Sequence, residues 1–258
     1  GKLARVALRT SNIDYNGRFC MSTAAAAGIK AFGLDRGLPF PVADIELAET
    51  VLLVGANPAE TMPPLMRYFD DQRRAGGALI TVDPRETMTT KVATQNLRIT
   101  PGSDAALANG LLHVLVRERL LNERFVAERT EGFDAVRAVC ASYWPERVER
   151  LTGVPQAQIE DVARRLGRSK TAMILTARGP EQQSQGVANV LAFINIALAL
   201  GLPGRLGSGY GCLTGQGNGQ GGREHGQKAD QLPGYRRIDD TADRAHIAAV
   251  WGMTPERL

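Results

Sequence analysis

Two short apolar segments, separated by an amphipathic one, constrain the fold of this chain more than any other feature. The first, residues 51–54 (Val-Leu-Leu-Val), runs into the turn sequence Gly-Ala-Asn-Pro. The second, residues 78–82 (Ala-Leu-Ile-Thr-Val), follows a Gly-Gly pair and ends at Asp83. Between them, residues 65–74 place apolar side chains on one face of a helix and Asp and Arg side chains on the other. Because buried strands joined by a helix run parallel, the pattern predicts a βαβ unit within an α/β fold.

Strand and helix patterns alternate along the rest of the chain. They comprise a strand at 97–100, a helix from the N-cap residue Ser103 to about residue 121, polar helices over 122–170, a strand at 172–176 and a buried helix at 187–200. This order predicts two three-layer α/β/α units with mainly parallel sheets, one inserted into the other. We expect residues 1–44 and 169–258 to form one unit. Residues 45–168 would form the inserted, Rossmann-like dinucleotide-binding unit.

A glycine-rich segment follows the last predicted helix. Glycine accounts for 11 of the 26 residues from 201 to 226. Such a composition is typical of a flexible linker. The same segment also carries Gln216, Arg223 and His225, and glycines interleaved with anion-binding side chains suit a loop whose backbone approaches a phosphate closely. Both interpretations remain open from the residues alone.

The overall charge and the cysteine content exclude several classes of protein. The formal net charge is +4 without a block of Lys and Arg, so we expect no nucleic-acid partner. Three widely spaced cysteines without a C-x-x-C pair cannot supply a zinc or iron–sulfur site from this chain alone. The apolar stretch 187–200 is too short to cross a bilayer, so we expect no membrane partner. Because the chain begins with Gly, we expect an internal piece of a longer polypeptide.

Cys20 is the first candidate for chemistry. It directly precedes an Ala-rich helix that is predicted to begin near Ser22 or Thr23. The positive end of a helix dipole favours the thiolate, which is a soft metal ligand. The alternative is that Cys20 is a small apolar side chain of the core.

Polar residues at the predicted strand ends form the second candidate site. In open α/β sheets, ligands bind beyond the carboxyl ends of the strands. The candidates at such ends are Asn57, Glu60, Asp83, Arg85, Gly102 and Asp104. The G-x-G-x-x-G fingerprint is missing, which argues against an ordinary nicotinamide dehydrogenase and leaves another nucleotide open. Asp83 alone is equally explained as a turn residue before Pro84.

Several segments together resemble the molybdopterin oxidoreductase superfamily of the dimethyl sulfoxide reductase type. They are Asn16–Ser22 (NGRFCMS), Val54–Glu60 (VGANPAE), Asp83–Thr87 (DPRET), Ile99–Asp104 (ITPGSD), Arg178–Gln183 (RGPEQQ) and Leu213–His225 (LTGQGNGQGGREH). The run Asp230–Tyr235 (DQLPGY) resembles the assimilatory, nitrate-reducing branch in particular. The segments extend over nearly the whole chain in the family's order.

The resemblance implies a molybdenum ion held by two molybdopterin guanine dinucleotides. By position, Cys20 would be the protein ligand of the metal, and Met21 and Arg223 would line the substrate pocket. Residues implied to contact the dinucleotides are Asn57, Glu60, Asp83, Arg85, Gly102 and Asp104 for one, and Gly179, Glu181, Gln182 and Gln216 for the other. A [4Fe-4S] cluster is expected in the parent protein, bound outside this segment.

The implied function is the two-electron reduction of nitrate to nitrite, with transfer of an oxygen atom to molybdenum. The expected partners are nitrate, an electron-donor protein or reductase subunit, and the rest of the polypeptide; the expected location is cytoplasmic. Alternatives are a formate dehydrogenase or other oxyanion oxidoreductase of the same superfamily, a molybdenum-free scaffold domain of an electron-transfer complex, and a nucleotide-binding regulatory module.

Overall fold

A parallel sheet of short apolar strands organises most of the chain. The computed structural model describes residues 1–35, 37–219 and 221–258. The strands of the sheet are β1 (Thr50–Val54), β2 (Ala78–Val82), β3 (Gln95–Leu97), β4 (Ala172–Thr176) and β5 (Gly209–Cys212). Their order is β3-β2-β1-β4-β5, and every neighbouring pair is parallel. β1 is central, with Leu52 opposite Ile80 on one side and Ile174 on the other.

Helices connect these strands and flank them in the sequence. The α-helices of the described residues are α1 (Gly17–Cys20), α2 (Ser22–Phe32), α3 (Pro58–Thr61), α4 (Met66–Arg74), α5 (Met88–Val92), α6 (Asp104–Arg117), α7 (Glu123–Arg129), α8 (Phe133–Cys140), α9 (Pro145–Thr152), α10 (Gln156–Arg168), α11 (Arg178–Glu181), α12 (Gly186–Ala199), α13 (Gly221–Glu224) and α14 (Thr241–Trp251). None of the helices in these residues is long and apolar enough to cross a membrane.

Both faces of the sheet are covered. Side chains alternate along each strand, so that Leu52 packs into one apolar core and Leu53 into the other. The first core is completed by α6, α10 and α12, and the second by Phe69 of α4 and Ile45. Burial on both faces explains why β1, β2 and β4 are continuous apolar runs.

The prediction of an α/β fold with a mainly parallel sheet is confirmed. The second and fourth strands have the predicted bounds, the third ends earlier than predicted at Leu97, and α6 ends at Arg117. The sequence did not indicate β5, which lies inside the glycine-rich segment. Its glycines are required by packing, because a Cβ atom on Gly211 would lie 2.4 Å from Leu38 Cδ2. For this part of the segment, the linker interpretation is wrong.

The structure also has an inserted unit and a surrounding one, but it divides the chain at other positions than the predicted 44/45 and 168/169. The chain divides into a unit of Gly1–Ser22 with Thr214–Leu258, and a unit of Thr23–Leu213. The predicted boundary at 168/169 would separate β4 from β1, although the two strands pair along their whole length. Within the described residues there is one parallel sheet, so the Rossmann-like region is larger than the predicted 45–168 and includes β4 and β5.

The smaller unit, Gly1–Ser22 with Thr214–Leu258, contains α1, α13, α14 and a short antiparallel pair, β6 (Gln231–Leu232) and β7 (Arg236–Arg237). Two arginines tie its two chain segments together. The buried Arg5 donates from Nη2 to the carbonyl oxygens of Lys228 and Ala229, each at 3.1 Å. Arg18 donates to Asp230 Oδ1 at 2.6 Å.

Candidate functional site

The strand order of the larger unit, Thr23–Leu213, creates a place for a ligand. From β1 the chain moves to β2 and β3 on one side, whereas β4 and β5 lie on the other side. At such a switch point the connections leave neighbouring strand ends in opposite directions and open a crevice between them. The observed strand order predicts such a crevice beyond the carboxyl ends of β1 and β4. The strand-end residues singled out from the sequence belong to this edge of the sheet.

The two loops at the switch point touch through glycine backbone. Gly179 N–H donates to Gly55 O at 3.0 Å. A Cβ atom on Gly55 would lie 2.6 Å from Gly179 Cα and 2.4 Å from Pro180 Cδ, and Gly55 has a φ of +60°. Only glycine satisfies both requirements at position 55. A ligand beyond this edge would therefore meet closely packed main chain at the centre of the crevice.

The loops after β1 and β2 carry four of the predicted residues. Asn57 accepts a hydrogen bond at Oδ1 from Thr89 Oγ1 at 2.8 Å, and Glu60 is exposed on α3. Asp83 is buried and accepts from the backbone N–H of Arg85 at 2.8 Å, while the Arg85 side chain is exposed. Asp83 thus forms the turn that the sequence allowed for, and its contact holds Arg85 at the strand end.

The beginning of α6 lies close to the same edge. Ser103 occupies the predicted N-cap position, but its hydroxyl donates to Thr100 O at 2.6 Å and does not cap the helix. Gly102 is exposed, and a Cβ atom there would meet no heavy atom within 4 Å. Asp104 is buried and accepts at Oδ2 from Gln183 Nε2 at 2.8 Å. The α6 start is therefore connected to the loop after β4.

A buried cluster that the sequence did not indicate lies after β4 and β5. Arg178 Nη2 donates to Glu181 Oε2 at 2.5 Å and to Cys212 Sγ at 2.9 Å, and Cys212 Sγ–H donates to Glu181 Oε1 at 3.2 Å. Burial raises the pKa of Glu181 and outweighs the lowering by Arg178. Burial also raises the pKa of Cys212, with Glu181 adding to the effect, so this thiol is protonated at neutral pH.

Gln182 is exposed directly after α11, and the other four predicted residues lie in the smaller unit. Cys20 is the last residue of the single helical turn α1 and is partly exposed, and only Met21 separates it from the first residue of α2. The Ala-rich helix thus begins at Ser22 as predicted. Met21 and Arg223 are both buried, and Gln216 is exposed in the glycine-rich segment. Arg223 lies on the four-residue helix α13.

The described residues hold no metal-binding cluster of the usual kind. Within 1–35, 37–219 and 221–258, no three or more His, Cys, Asp or Glu side chains are grouped so that they could hold an ion.

A parallel sheet with a switch point between β1 and β4 and helices on both faces defines a doubly wound α/β protein. The chain belongs to the molybdopterin oxidoreductase family, whose family model matches residues 1–256. This match confirms the resemblance drawn from the sequence segments. The family implies a molybdenum–pterin cofactor.

Known proteins similar to this chain include nitrate reductases. The chain is 49% identical, over all of its 258 residues, to the "Assimilatory nitrate reductase catalytic subunit" of Bacillus subtilis (strain 168), and covers 36% of that protein. It is 36% identical to "Nitrate reductase" of Synechocystis sp. over its whole length, again covering 36% of the relative. The chain therefore spans little more than a third of the curated relatives it matches.

More distant similarities extend to other enzymes of the family. The chain is 33% identical to "Formate dehydrogenase H" of Escherichia coli (strain K12), over 98% of its own length and 35% of that protein's. "Acetylene Hydratase from Pelobacter acetylenicus" is a solved structure with a TM-score of 0.61 over 72% of this chain and 25% of that one, at 23% identity. The latter similarity supports the fold alone.

Proposed function

We propose that this chain is part of the catalytic core of a molybdenum nitrate reductase that reduces nitrate to nitrite. The observation that carries the proposal is the 49% identity to an assimilatory nitrate reductase catalytic subunit, which extends over the whole chain. Relatives named as formate dehydrogenases are less similar, at 33–34% identity. Formate oxidation is accordingly the second candidate activity.

The residues at the β1/β4 switch point suit the guanine dinucleotide form of the cofactor. The edge offers exposed polar side chains at Glu60, Arg85 and Gln182, and open backbone at Gly102. Arg85 would supply a positive charge for a phosphate, and the turn made by Asp83 fixes the backbone from which the exposed Arg85 side chain extends. We propose that Asn57, Glu60, Arg85 and Gly102 contact one dinucleotide. Gln182 would contact the other one, as the family resemblance implies.

The residues proposed to meet the metal and the substrate lie in the smaller unit. Cys20 is partly exposed and can present its sulfur to a metal, and no larger donor set competes with it among the described residues. When bound, the molybdenum group would supply the two-electron redox and oxygen-atom-transfer chemistry, with Cys20 as its protein ligand. Arg223 carries a planar guanidinium that matches a planar oxyanion such as nitrate. Met21 would line the same substrate pocket, and Gln216 would contact the cofactor.

Other parts of the proposal extend beyond this chain. A [4Fe-4S] cluster would be bound by another segment of the polypeptide, and an electron-donor protein or reductase subunit would supply the electrons. The cytoplasmic location stays a prediction that rests on the resemblance to the assimilatory branch.

The test uses the complete natural polypeptide that contains this chain, produced in a host that makes molybdenum cofactors. Molybdenum and acid-released GMP are measured per chain in the wild type, in Cys20→Ala and in the matched control Cys140→Ala. We expect about one molybdenum and two GMP in the wild type and the control, and loss or weakened retention of molybdenum in Cys20→Ala. A wild-type protein without metal or GMP would overturn the proposal in favour of a scaffold role.

Turnover then identifies the substrate. Nitrate and formate are compared with an artificial electron carrier in the same preparations. Nitrate reduction supports the first candidate activity, and formate oxidation without nitrate reduction supports the second. Arg223→Lys should lower kcat/KM for nitrate, because an ammonium group cannot reproduce a bidentate guanidinium contact. Unchanged kcat/KM would remove Arg223 from the substrate site.

A further inference from the structure

The loop after β4, residues 177–183, is held on two sides by side chains of its own. It begins where β4 ends and contains the single helical turn α11. Its backbone contacts Gly55 at the switch point through Gly179. Within it, Glu181 is buried, whereas Gly179 and Gln182 are exposed. We refer to residues 177–183 as the β4 loop.

The first support joins the β4 loop to the end of β5. Arg178 and Glu181 form an ion pair within α11, and Cys212, the last residue of β5, exchanges hydrogen bonds with both. The Glu181 side chain is fully buried, so its charge is balanced by Arg178 and not by water. Both ends of the helical turn are thereby attached to the neighbouring strand.

The second support joins the β4 loop to α6 and α12. Gln183 Nε2 donates to Asp104 Oδ2 and to Gly179 O, each at 2.8 Å. Asn189 of α12 donates from Nδ2 to Gln183 Oε1 at 3.1 Å and to Pro180 O at 3.0 Å. The amide of Gln183 is therefore bonded through both its oxygen and its nitrogen, and it connects the start of α6 to the loop.

We propose that the β4 loop is a preformed cofactor-positioning element, and that Asp104, Glu181 and Gln183 act as positioning residues that hold Gly179 and Gln182 at the dinucleotide. The inference rests on the proposed function, because it takes the guanine dinucleotide as the ligand of this edge. It gives Asp104 and Glu181 a different task from direct contact with the cofactor. It also adds Gln183, Arg178 and Cys212 to the set of functional residues.

The chemistry of the ligand supports this division of roles. A dinucleotide carries phosphate charges, and an unbalanced carboxylate beside a phosphate would repel it. In this structure the Glu181 carboxylate is paired with the Arg178 guanidinium, and the buried Asp104 carboxylate accepts a hydrogen bond from the Gln183 amide within the loop. A loop that is ordered before binding also spares the ligand the entropy cost of ordering it. Gln182, which is exposed between Glu181 and Gln183, is then available to contact the ligand.

The experiment compares Gln183→Ala, Asp104→Ala and Asp104→Asn with the control Gln185→Ala, an exposed glutamine two positions further on. The complete polypeptide is loaded with cofactor, diluted, and assayed for retained GMP over time. Loss of a hydrogen bond to a charged group should speed GMP loss about tenfold in Gln183→Ala and Asp104→Ala. Asp104→Asn keeps an oxygen acceptor and should stay within about twofold of the wild type, as should Gln185→Ala.

Hydrogen exchange in cofactor-free protein separates positioning from general destabilisation. Amides of residues 178–183 should lose protection in Gln183→Ala, while those of β1 and β2 keep it. Equal loss of protection in β1 and β2, or wild-type GMP retention in Gln183→Ala, would overturn the inference. If wild-type protein carries no GMP at all, the proposed function fails instead.

Discussion

Gly55→Ala should destabilise the larger unit more than any other glycine-to-alanine change at a strand end. Its φ of +60° costs an L-residue about 1–2 kcal/mol. The new Cβ atom would lie 2.4 Å from Pro180 Cδ and 2.6 Å from Gly179 Cα, and relieving that overlap costs about 1–3 kcal/mol. The shift also weakens the Gly179 N–H to Gly55 O hydrogen bond, worth about 1 kcal/mol. We expect a total loss of about 3–5 kcal/mol.

The assay is urea unfolding of the chain followed by far-ultraviolet circular dichroism. At an m-value of about 2.5 kcal/mol/M, the expected loss lowers the midpoint by about 1.5 M. The control is Gly76→Ala, at a φ of +90° with no heavy atom within 4 Å of the added Cβ. It carries the backbone strain without the overlap, so its loss should stay near 1–2 kcal/mol, or about 0.5 M. Equal midpoints for the two variants would refute the close approach of the β1 and β4 loops.

Three further predictions concern other parts of the molecule. Gly211→Ala should lower the urea midpoint of unfolding, because the added Cβ atom would lie 2.4 Å from Leu38 Cδ2. Adding Leu38→Ala should restore part of the lost midpoint, and a double variant without any restoration would contradict this packing. Asp240→Ala should lower the stability of the first turn of α14 by about 1 kcal/mol, because the Asp240 side chain caps that helix by accepting from the N–H groups of residues 242 and 243. Asp240→Asn should lower it much less, and the difference is measured as faster hydrogen exchange at the start of α14. Hydrogen bonds from Arg164 lower the pKa of Glu118 to about 2. The stability that this lowered pKa contributes is fully present above the pKa of Glu118 in the unfolded chain, about 4.3, and is lost as the pH falls toward 2. Glu118→Gln should therefore lower the free energy of unfolding by about 1 kcal/mol at pH 7, allowing for solvent screening, and should have no effect near pH 2. Equal effects at the two pH values in urea titrations would contradict the ion pair.

Local patterns predicted many of the elements and the general position of the site. The apolar runs at β1, β2 and β4 were clear because strands buried on both faces need apolar side chains at every position. The candidates Asn57, Asp83 and Asp104 were found because each follows a recognisable strand or begins a helix. Cys20 was found by its position before a predicted helix. Its role as a metal ligand came from the family resemblance, as did Met21 and Arg223, and these roles stay predictions.

What the sequence could not provide is the pairing of distant segments. The polar pattern of β5 resembles a linker, because its close packing against Leu38 requires glycine where a typical strand has a branched side chain. The cluster of Arg178, Glu181 and Cys212 was missed for a related reason. Cys212 lies 34 residues from Arg178, and no local pattern indicates that the two strand ends meet.

The sequence by itself determined the fold class, the bounds of several elements and the family, because each depends on side chains that are close along the chain. The tertiary structure alone decided that β4 pairs with β1 in one sheet, where the sequence had suggested a boundary. Strand order depends on which buried surfaces match after the helices have packed, and that choice is made between residues more than 100 positions apart. The switch point, the contact between Gly55 and Gly179, and the supports of the β4 loop all follow from that single pairing.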